Sequence, residues 1–346
     1  MDPRQALARL LAREDLQREE TEALFGRLMD GELSDILKSA LLIALRMKGE
    51  SPGEIAGAAA AMRRRVIPIP HQVERVVDTC GTGGDGSGSF NVSTAAALVA
   101  AAGGVPVAKH GNRSVSSRSG SADVLAAAGV NVEITPQQAA NALAEVGISF
   151  LFAPRLHPAM AQVMPVRKEL GQRTLFNVLG PLTNPAGARR QVIGVYHEDL
   201  VERIARVLLE LEAEHAVVVH GDGLDEITVT GETLVGEVRD GQVQMYRVEP
   251  EDLGLAVSAA EQLRGGEPEH NAELLWRVLR GERGEVSAMA DITAANAGAA
   301  LYVGGAAPSL TEGVAKAQEI LHSGAAATVL EKLVTFGQQA GSGAAS

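Results

Sequence analysis

The sequence is poor in cysteine and in aromatic residues, and both shortages narrow its possible functions. Cys80 is the one cysteine among 346 residues, so no intramolecular disulfide can form, and no Cys/His cluster has the spacing of a zinc site. Aromatic side chains make up 3% of the chain, which argues against rows of base-stacking rings. A single thiol fits a reducing compartment, so we expect a cytoplasmic protein.

Long apolar runs and an excess of positive charge are also missing. The longest apolar stretch, 94–108, is broken by Gly103, Gly104 and Pro106, and it is shorter than the ~18 residues of a membrane helix. Charged residues from Arg4 onward interrupt the first turns, unlike a signal peptide. With 31 Lys and Arg against 43 Asp and Glu, the net charge is −12. We therefore expect neither a membrane nor a nucleic acid as partner.

The chain contains two different patterns, which predict two domains. Residues 1–70 have helical periodicity without strands, and the Ser-Pro-Gly-Glu sequence at 51–54 is a capping box. Over 71–336, short apolar segments alternate with Ala-rich helical ones. This alternation predicts a small N-terminal helical domain and a larger α/β domain, whose mostly parallel central sheet is flanked by helices. We expect a segment near 168–186 to return to the helical domain, and 337–346 to be a frayed tail.

The predicted strands and helices of the larger domain follow from this alternation. Strands are predicted at 73–77, 105–108, 130–134, 148–150, 216–219, 226–231, 233–238 and 243–248. Helices are predicted at 93–102, 122–128 and 136–146, and again after Ser258 as far as about Phe336. Turn residues between the last strands leave open that the sheet is mixed.

A glycine-rich segment, GTGGDGSGSFNVST at 81–94, follows the first predicted strand and leads into a helix. Glycines let backbone N–H groups approach an anion, and a helix start adds unpaired donors. Gly81, Gly83 and Gly86 also match the dinucleotide fingerprint, which requires an acidic residue about 20 positions further on. Lys109 stands in that region instead. The segment therefore predicts a phosphate site and argues against a nicotinamide cofactor.

A second polar segment, KHGNRSVSSRSGS at 109–121, follows the next predicted strand. Lys109, Arg113 and Arg118, with serine hydroxyls among them, suit a highly charged phosphate ester. The carboxyl ends of neighbouring parallel strands meet at one edge of a sheet, so we expect the two segments to lie close together.

Two further segments carry acidic and cationic groups. Asp225 and Glu226 come just after a predicted strand and offer the oxygen ligands that Mg²⁺ takes together with substrate phosphates, although adjacent acids are also common in turns. Arg167 is able to bind a carboxylate through two hydrogen bonds. His157, judged alone, fits a capping or core role better than a binding role.

Together these segments resemble the anthranilate phosphoribosyltransferase family. GTGGDGSGSFNVST, KHGNRSVSSRSGSADVL, HPAM, PVRKELGQRTLFNVLGPLTNP and GDGLDE occur in the family's order and spacing, over about residues 5–335. The GTGGD loop also occurs in the related pyrimidine nucleoside phosphorylases, but the KHGNR and LGPLTNP segments distinguish this chain from them. A nucleoside phosphorylase-like enzyme and a non-enzymatic, nucleic-acid-binding relative are the alternatives.

The resemblance implies transfer of the phosphoribosyl group from phosphoribosyl pyrophosphate to anthranilate, with release of pyrophosphate, as an early step of tryptophan biosynthesis. It also implies Mg²⁺ as cofactor and a homodimer formed through the helical domain, with the substrates in the cleft between the domains. The amine of anthranilate is unprotonated at neutral pH, so no general base is expected.

The resemblance also implies the site residues. The expected contacts to phosphoribosyl pyrophosphate are Gly81, Gly84, Asp85, Ser89, Asn91, Val92, Ser93, Thr94, Lys109, His110, Gly111, Asn112, Arg113, Ser114, Val115, Ser116, Ser117 and Ser121. The expected contacts to anthranilate are Gly81, His110, Asn112, His157 and Arg167. The expected metal ligands are Ser93, Asp225 and Glu226.

Overall fold

The computed structural model describes residues 1–114 and 118–342. Val115, Ser116 and Ser117, which were expected to bind phosphate, lie outside the described residues.

The chain begins with four helices: α1 (Pro3–Leu11), α2 (Arg18–Met29), α3 (Asp35–Lys48) and α4 (Pro52–Arg63). Local sequence explains where they start. Ser34 caps α3, and the predicted capping box begins α4, because the Ser51 Oγ accepts from the Glu54 N–H at 3.3 Å and the Glu54 carboxylate accepts from the Ser51 N–H at 2.8 Å. Pro52 occupies the first helical position of α4.

The larger part of the chain surrounds one sheet. Its strands, within the described residues, are β1 (Val77–Thr79), β2 (Val107–Gly111), β3 (Ile148–Phe152), β4 (Arg190–Gly194), β5 (His215–Gly221), β6 (Thr233–Arg239) and β7 (Gln242–Val248). Its helices are α5 (Val92–Ala102), α6 (Ser121–Ala127), α7 (Pro136–Glu145), α8 (Ala153–Leu156), α9 (Met164–Leu170), α10 (Phe176–Leu179), α11 (Leu200–Glu210), α12 (Pro268–Leu279), α13 (Ser287–Val303), α14 (Leu310–Ser323) and α15 (Ala325–Ser342).

The strand order is β3-β2-β1-β4-β5-β6-β7. The pairs from β3 to β5 are parallel, whereas β6 and β7 are added antiparallel, so the sheet is mostly parallel and mixed. The order reverses between β1 and β4, because β2 and β3 lie on one side of β1 and β4 lies on the other. In open α/β sheets, ligands bind at the carboxyl ends of the strands beside such a reversal.

Two large cores cover the faces of the sheet. One contains β1, β2 and α5 with the C-terminal helices α12 to α15. The other joins the N-terminal helices to α9, α10 and α11, and the Phe25 and Phe176 rings lie 5.7 Å apart within it. The 168–186 segment therefore packs against the N-terminal helices. Within the described residues, no helix combines the length and apolarity needed to cross a bilayer.

Several predictions about secondary structure are wrong. The strand predicted at 73–77 is displaced, because Glu74 and Arg75 form a turn and β1 begins at Val77. The 130–134 segment buries Val130 and Val132 but pairs with no strand in the ranges 1–114 and 118–342, since the sheet ends at β3. The 226–231 segment forms bends instead of a strand. The final helix does not end near Phe336 but continues to Ser342, and Gly337 lies so close to Asn131 that a Cβ there would be 2.9 Å from the Asn131 Cβ.

Candidate active site

The glycine-rich segment leaves β1 at the strand-order reversal. Gly83, Gly84, Gly86 and Gly88 all have positive φ values between 65° and 81°, a backbone region that other residues rarely adopt. The Thr82 N–H bonds to the Gly194 carbonyl at the end of β4, and the Gly265 N–H bonds to the Gly88 carbonyl. Neighbouring backbone therefore holds the loop at both ends, while Gly83, Gly84, Gly86 and Gly88 are exposed.

Asn91 connects the glycine-rich segment to the second polar segment. It stands at the N-cap of α5 but makes no capping bond. Its amide instead donates to the Ser119 carbonyl at 3.2 Å and accepts from the Asn271 Nδ2 at 2.9 Å. The two segments therefore lie side by side, as their positions after neighbouring parallel strands predict.

Lys109 places a buried cation under the glycine-rich segment. Its side chain is 2% exposed, and its Nζ donates to the Thr79 carbonyl at 2.6 Å and to the Ser93 Oγ at 3.2 Å. A hydroxyl has two lone pairs, so Ser93 keeps one for another cation. This arrangement concentrates positive charge at the start of α5, where the helix dipole already favours anions.

Asp225 and Glu226 lie directly opposite the glycine-rich segment. The Asp225 Oδ2 accepts from the Gly83 N–H at 2.7 Å, and the Glu226 Oε1 accepts from the Ser93 N–H at 3.2 Å. A Cβ at Gly81 would lie 2.6 Å from the Asp225 Oδ2, so only glycine allows this approach. The structure thus brings Ser93, Asp225 and Glu226 together.

The electrostatics of this acidic pair fit a divalent cation. Burial, reinforced by the charge of Asp85, raises the pKa of Asp225 to about 7. Burial and the neighbouring Asp225 raise the pKa of Glu226 well above its usual value. Buried carboxylates that repel one another are stabilised by a hard cation, and Mg²⁺ takes oxygen ligands of this kind.

The second polar segment is anchored by Asp123. The Asp123 Oδ2 accepts from the backbone N–H groups of Ser114 and Gly120, and the Ser121 hydroxyl donates to the Asn112 carbonyl at 3.3 Å. The Arg113 guanidinium bonds to Asp123 at 3.2 Å, so it is paired with an acid within the chain.

His110 and His157 form a buried pair beside the LGPLTNP segment. Their Nε2 atoms lie 3.1 Å apart, and the His110 Nδ1 lies 3.2 Å from the Gly180 carbonyl. That carbonyl requires a proton on the His110 Nδ1, so the His157 Nε2 is the donor to the His110 Nε2. Burial lowers the pKa of His110 to about 3 and that of His157 to about 4, so both rings are neutral. The His157 Nδ1 is then a buried acceptor that has no partner among the described residues.

Arg167 lies on α9, and its guanidinium is 5.6 Å from the centre of the Phe176 ring. Burial lowers its pKa, and none of the carboxylates in the described residues is within 4.0 Å of it. It therefore offers a partly buried, uncompensated cation.

Asp78, Cys80 and His110 also converge, although their sequence spacing gave no indication of a cluster. Their potential ligand atoms lie within 4.8 Å of one another. The Asp78 carboxylate accepts from the His110 N–H at 3.1 Å, and both ring nitrogens of His110 have neighbours of their own. These contacts fasten β2 to β1 and account for the cluster.

Sequence reasoning missed several residues that contact this site. Arg173 hydrogen-bonds to the Gly84 carbonyl and lies 4.1 Å over the Tyr196 ring. Asn271 and Asn296 each hold a segment of the site from a C-terminal helix. Arg173 lies in the PVRKELGQRT motif, so the sequence could have indicated it as a site residue, whereas no sequence motif surrounds Asn271 or Asn296.

Comparisons with known proteins agree with this geometry. The glycosyl transferase family has an a/b domain that matches residues 73–327 and a helical bundle domain that matches residues 4–66. An anthranilate phosphoribosyltransferase of Anaeromyxobacter sp. (strain K) is 54% identical to this chain over 330 residues, which are 95% of this chain and 97% of that one. The chain belongs to the anthranilate phosphoribosyltransferase family.

Solved structures of this family share the fold. The crystal structure of the family member from Thermus thermophilus matches with a TM-score of 0.91 and 48% identity, and covers 96% of this chain and 99% of that one. The member from Saccharomyces cerevisiae, solved in complex with phosphoribosyl pyrophosphate and Mg, matches with a TM-score of 0.87 and 27% identity, and covers 97% of this chain and 98% of that one.

Proposed function

We propose that the protein transfers the phosphoribosyl group of phosphoribosyl pyrophosphate to the amine of anthranilate, releasing pyrophosphate, in tryptophan biosynthesis. The observation that carries this proposal is the meeting of glycine-lined N–H groups, buried Lys109 and the Asp225–Glu226 pair at the strand-order reversal. Such a site suits a phosphorylated sugar and its metal. Family membership selects anthranilate as the acceptor.

The charges at this site suit loss of pyrophosphate. As the bond to the sugar breaks, negative charge grows on the phosphate oxygens, and Lys109 with the N–H groups of the glycine-rich segment stabilises that charge most at the transition state. Mg²⁺, when bound by Ser93, Asp225 and Glu226, would neutralise further negative charge on the pyrophosphate. The relative solved with phosphoribosyl pyrophosphate and Mg supports this metal.

Anthranilate needs positioning more than activation, because its amine is already unprotonated at neutral pH. Arg167 supplies a cation for the carboxylate, and Asn112, Gly81, His110 and His157 are the remaining proposed contacts. Because His110 and His157 are neutral, they would present an uncharged surface to the aromatic ring of anthranilate.

The remaining proposed contacts to phosphoribosyl pyrophosphate surround these groups. They are Gly84, Asp85, Ser89, Asn91, Val92 and Thr94 in the first segment, and His110 to Ser117 with Ser121 in the second.

The decisive assay is the loss of anthranilate fluorescence when purified protein, Mg²⁺ and phosphoribosyl pyrophosphate are combined. We expect the loss to require all three components. Phosphate-dependent release of a free base from a pyrimidine nucleoside, with unchanged anthranilate fluorescence, would establish the phosphorylase alternative instead.

We also propose a homodimer formed through the helical domain. Leu11, Ile36 and Met47 are 71%, 85% and 77% exposed on α1 and α3, two helices that pack together, so these apolar side chains are available to a partner subunit. We expect light scattering to give twice the chain mass, and I36E/M47E to give the monomer mass. A monomeric unsubstituted protein would contradict this assembly.

We propose two domains and a cytoplasmic location. The helical domain comprises residues 1–70 with the segment near 168–186, which is supported by the Phe25–Phe176 contact, and the α/β domain begins at residue 71. Cys80 is the single cysteine of the sequence, so no intramolecular disulfide can form, as suits a reducing compartment. Cell fractionation tests the location.

A further inference from the structure

Asn296, on α13, makes a two-sided contact with the residue that follows the acidic pair. Its side chain is 1% exposed. The Oδ1 accepts from the Ile227 N–H at 2.9 Å, and the Nδ2 donates to the Ile227 carbonyl at 2.8 Å and to the Ile292 carbonyl of its own helix at 2.9 Å. Both backbone groups of Ile227 are thus satisfied by a single amide.

The Asn296 amide supplies the hydrogen bonds that a neighbouring strand would otherwise make with Ile227. The segment between β5 and β6 forms no ladder at Ile227, which is itself 1% exposed, and buried backbone groups are costly without partners. Reversing the amide would oppose N–H to N–H and oxygen to oxygen. The Asn296 amide can therefore adopt a single orientation at this position, and its two hydrogen bonds to Ile227 fix the backbone next to Glu226.

The acidic pair is held from two further directions. The Gly83 N–H binds the Asp225 carboxylate, and the Ser93 N–H binds Glu226. At the end of β4, a Cβ on Gly194 would lie 1.5 Å from the Asp225 carbonyl oxygen, so that strand limits the backbone as well. Only α13 holds the Ile227 backbone among these contacts, so the position of Glu226 depends on Asn296.

We infer that Asn296 is a positioning residue that sets Asp225 and Glu226 for metal binding. This inference rests on the proposed function, which assigns those two carboxylates to Mg²⁺. Groups that hold a metal ligand in place typically change metal affinity roughly 10- to 100-fold when they are lost.

The test compares Asn296→Asp with Thr293→Val on the same helix. The aspartate has the same shape, accepts from the Ile227 N–H, and turns an oxygen toward the Ile227 and Ile292 carbonyl oxygens. Thr293 is fully buried, and in the part of the chain that the structure describes its hydroxyl donates to the Met289 carbonyl within α13 at 2.6 Å. The control therefore removes one buried hydrogen bond from α13 without touching Ile227.

Two measurements distinguish positioning from general destabilisation. Mn²⁺ titration followed by electron paramagnetic resonance, with phosphoribosyl pyrophosphate present, should show roughly 10- to 100-fold weaker metal binding for N296D and little change for T293V. Amide hydrogen exchange at Ile227 in the ligand-free protein should be faster in N296D only. The apparent KM for anthranilate should stay close to that of the unsubstituted protein in both variants.

Equal Mn²⁺ affinity in N296D and T293V would overturn the inference. If N296D does not fold, Asn296→Ser, which keeps one hydrogen-bonding hydroxyl, takes its place with the same expected shifts. Failure of the metal-ligand assignment on which the inference rests has a different signature, namely a D225N/E226Q variant that retains full metal binding, and failure of the proposed transfer would appear as unchanged anthranilate fluorescence in the unsubstituted protein. These failures are therefore separable.

Discussion

Arg173 donates a hydrogen bond to the carbonyl oxygen of Gly84 while its guanidinium lies 4.1 Å over the Tyr196 ring. The Tyr196 N–H in turn bonds to the Thr82 Oγ1 at 3.1 Å. Arg173 follows α9, which carries Arg167, so one side chain connects the segment expected to bind anthranilate with the loop expected to bind pyrophosphate. The glycine loop is therefore held by a contact from the segment that follows α9.

Loss of Arg173 should weaken binding of phosphoribosyl pyrophosphate. We expect R173A to raise the apparent KM for this substrate roughly 10-fold or more, as is typical when a charged hydrogen-bonding group is lost. R173K should restore only part of the effect, because an ammonium lacks the planar fork that bonds to Gly84 and covers Tyr196. Steady-state kinetics with K168A as the control, a nearby exposed cation, checks the prediction. Equal KM values in R173A and K168A would contradict it.

Arg167 should act on anthranilate instead. The carboxylate of anthranilate would replace water around a cation that has no acidic neighbour among the described residues, so R167A removes a charge-assisted bond. We expect the apparent KM for anthranilate to rise roughly 10- to 100-fold with a small change in the KM for phosphoribosyl pyrophosphate. The apparent KM of R167K for anthranilate should lie between those of R167A and the unsubstituted protein. An unchanged anthranilate KM in R167A would remove the residue from this role.

Much of the site could be predicted from the sequence because consecutive strand–loop–helix units place their loops at the same edge of a parallel sheet. Lys109, Ser93 and the glycine-rich segment follow that rule, and they meet in the structure. β4 was not predicted, because this central strand begins with the polar residues Arg190 and Gln191 and its apolar run is short.

Asn296 and Ile227 could not be paired from the sequence. They are separated by 69 residues, and neither belongs to a motif. The 226–231 segment has the composition of a strand, and a side-chain amide from α13 supplies the partner that a neighbouring strand would give. Long-range contacts of this kind depend on how the C-terminal helices pack, which local patterns do not report.

Replacing the acidic pair should remove metal dependence and also stabilise the ligand-free protein. D225N/E226Q lacks the carboxylates proposed to hold Mg²⁺, so metal-stimulated turnover should be lost. The raised pKa of Asp225 has a second consequence. Between the ordinary pKa of an aspartate and about 7, the folded state retains a proton that the unfolded state has released, so stability falls as pH rises through that window.

Thermal unfolding at pH values above this window measures the effect of Asp225. D225N cannot ionise, so its melting temperature in the absence of metal should exceed that of the unsubstituted protein there and approach it under acidic conditions. A lower melting temperature for D225N across the whole range would show that the carboxylate stabilises the ligand-free fold and would contradict the raised pKa.

His157 should determine part of the acid sensitivity of the fold. Burial lowers its pKa from 6.5 to about 4, so below 6.5 the unfolded state binds a proton that the folded state does not. The contribution of His157 to the free energy of unfolding is fully present above pH 6.5 and is lost as the pH falls toward about 4. For one proton, this free energy changes by about 1.4 kcal/mol per pH unit. His110 contributes with the same sign, since its pKa is lowered to about 3.

Substitution of His157 by glutamine isolates this contribution. In H157Q, the glutamine keeps an N–H donor for the His110 Nε2 but does not titrate. The free energy of unfolding, measured in urea between pH 6.5 and 4, should therefore depend less steeply on pH, by the equivalent of about one proton. H197Q, at an exposed histidine, is the matched control. Equal slopes in H157Q and H197Q would mean that His157 is already protonated in the folded protein.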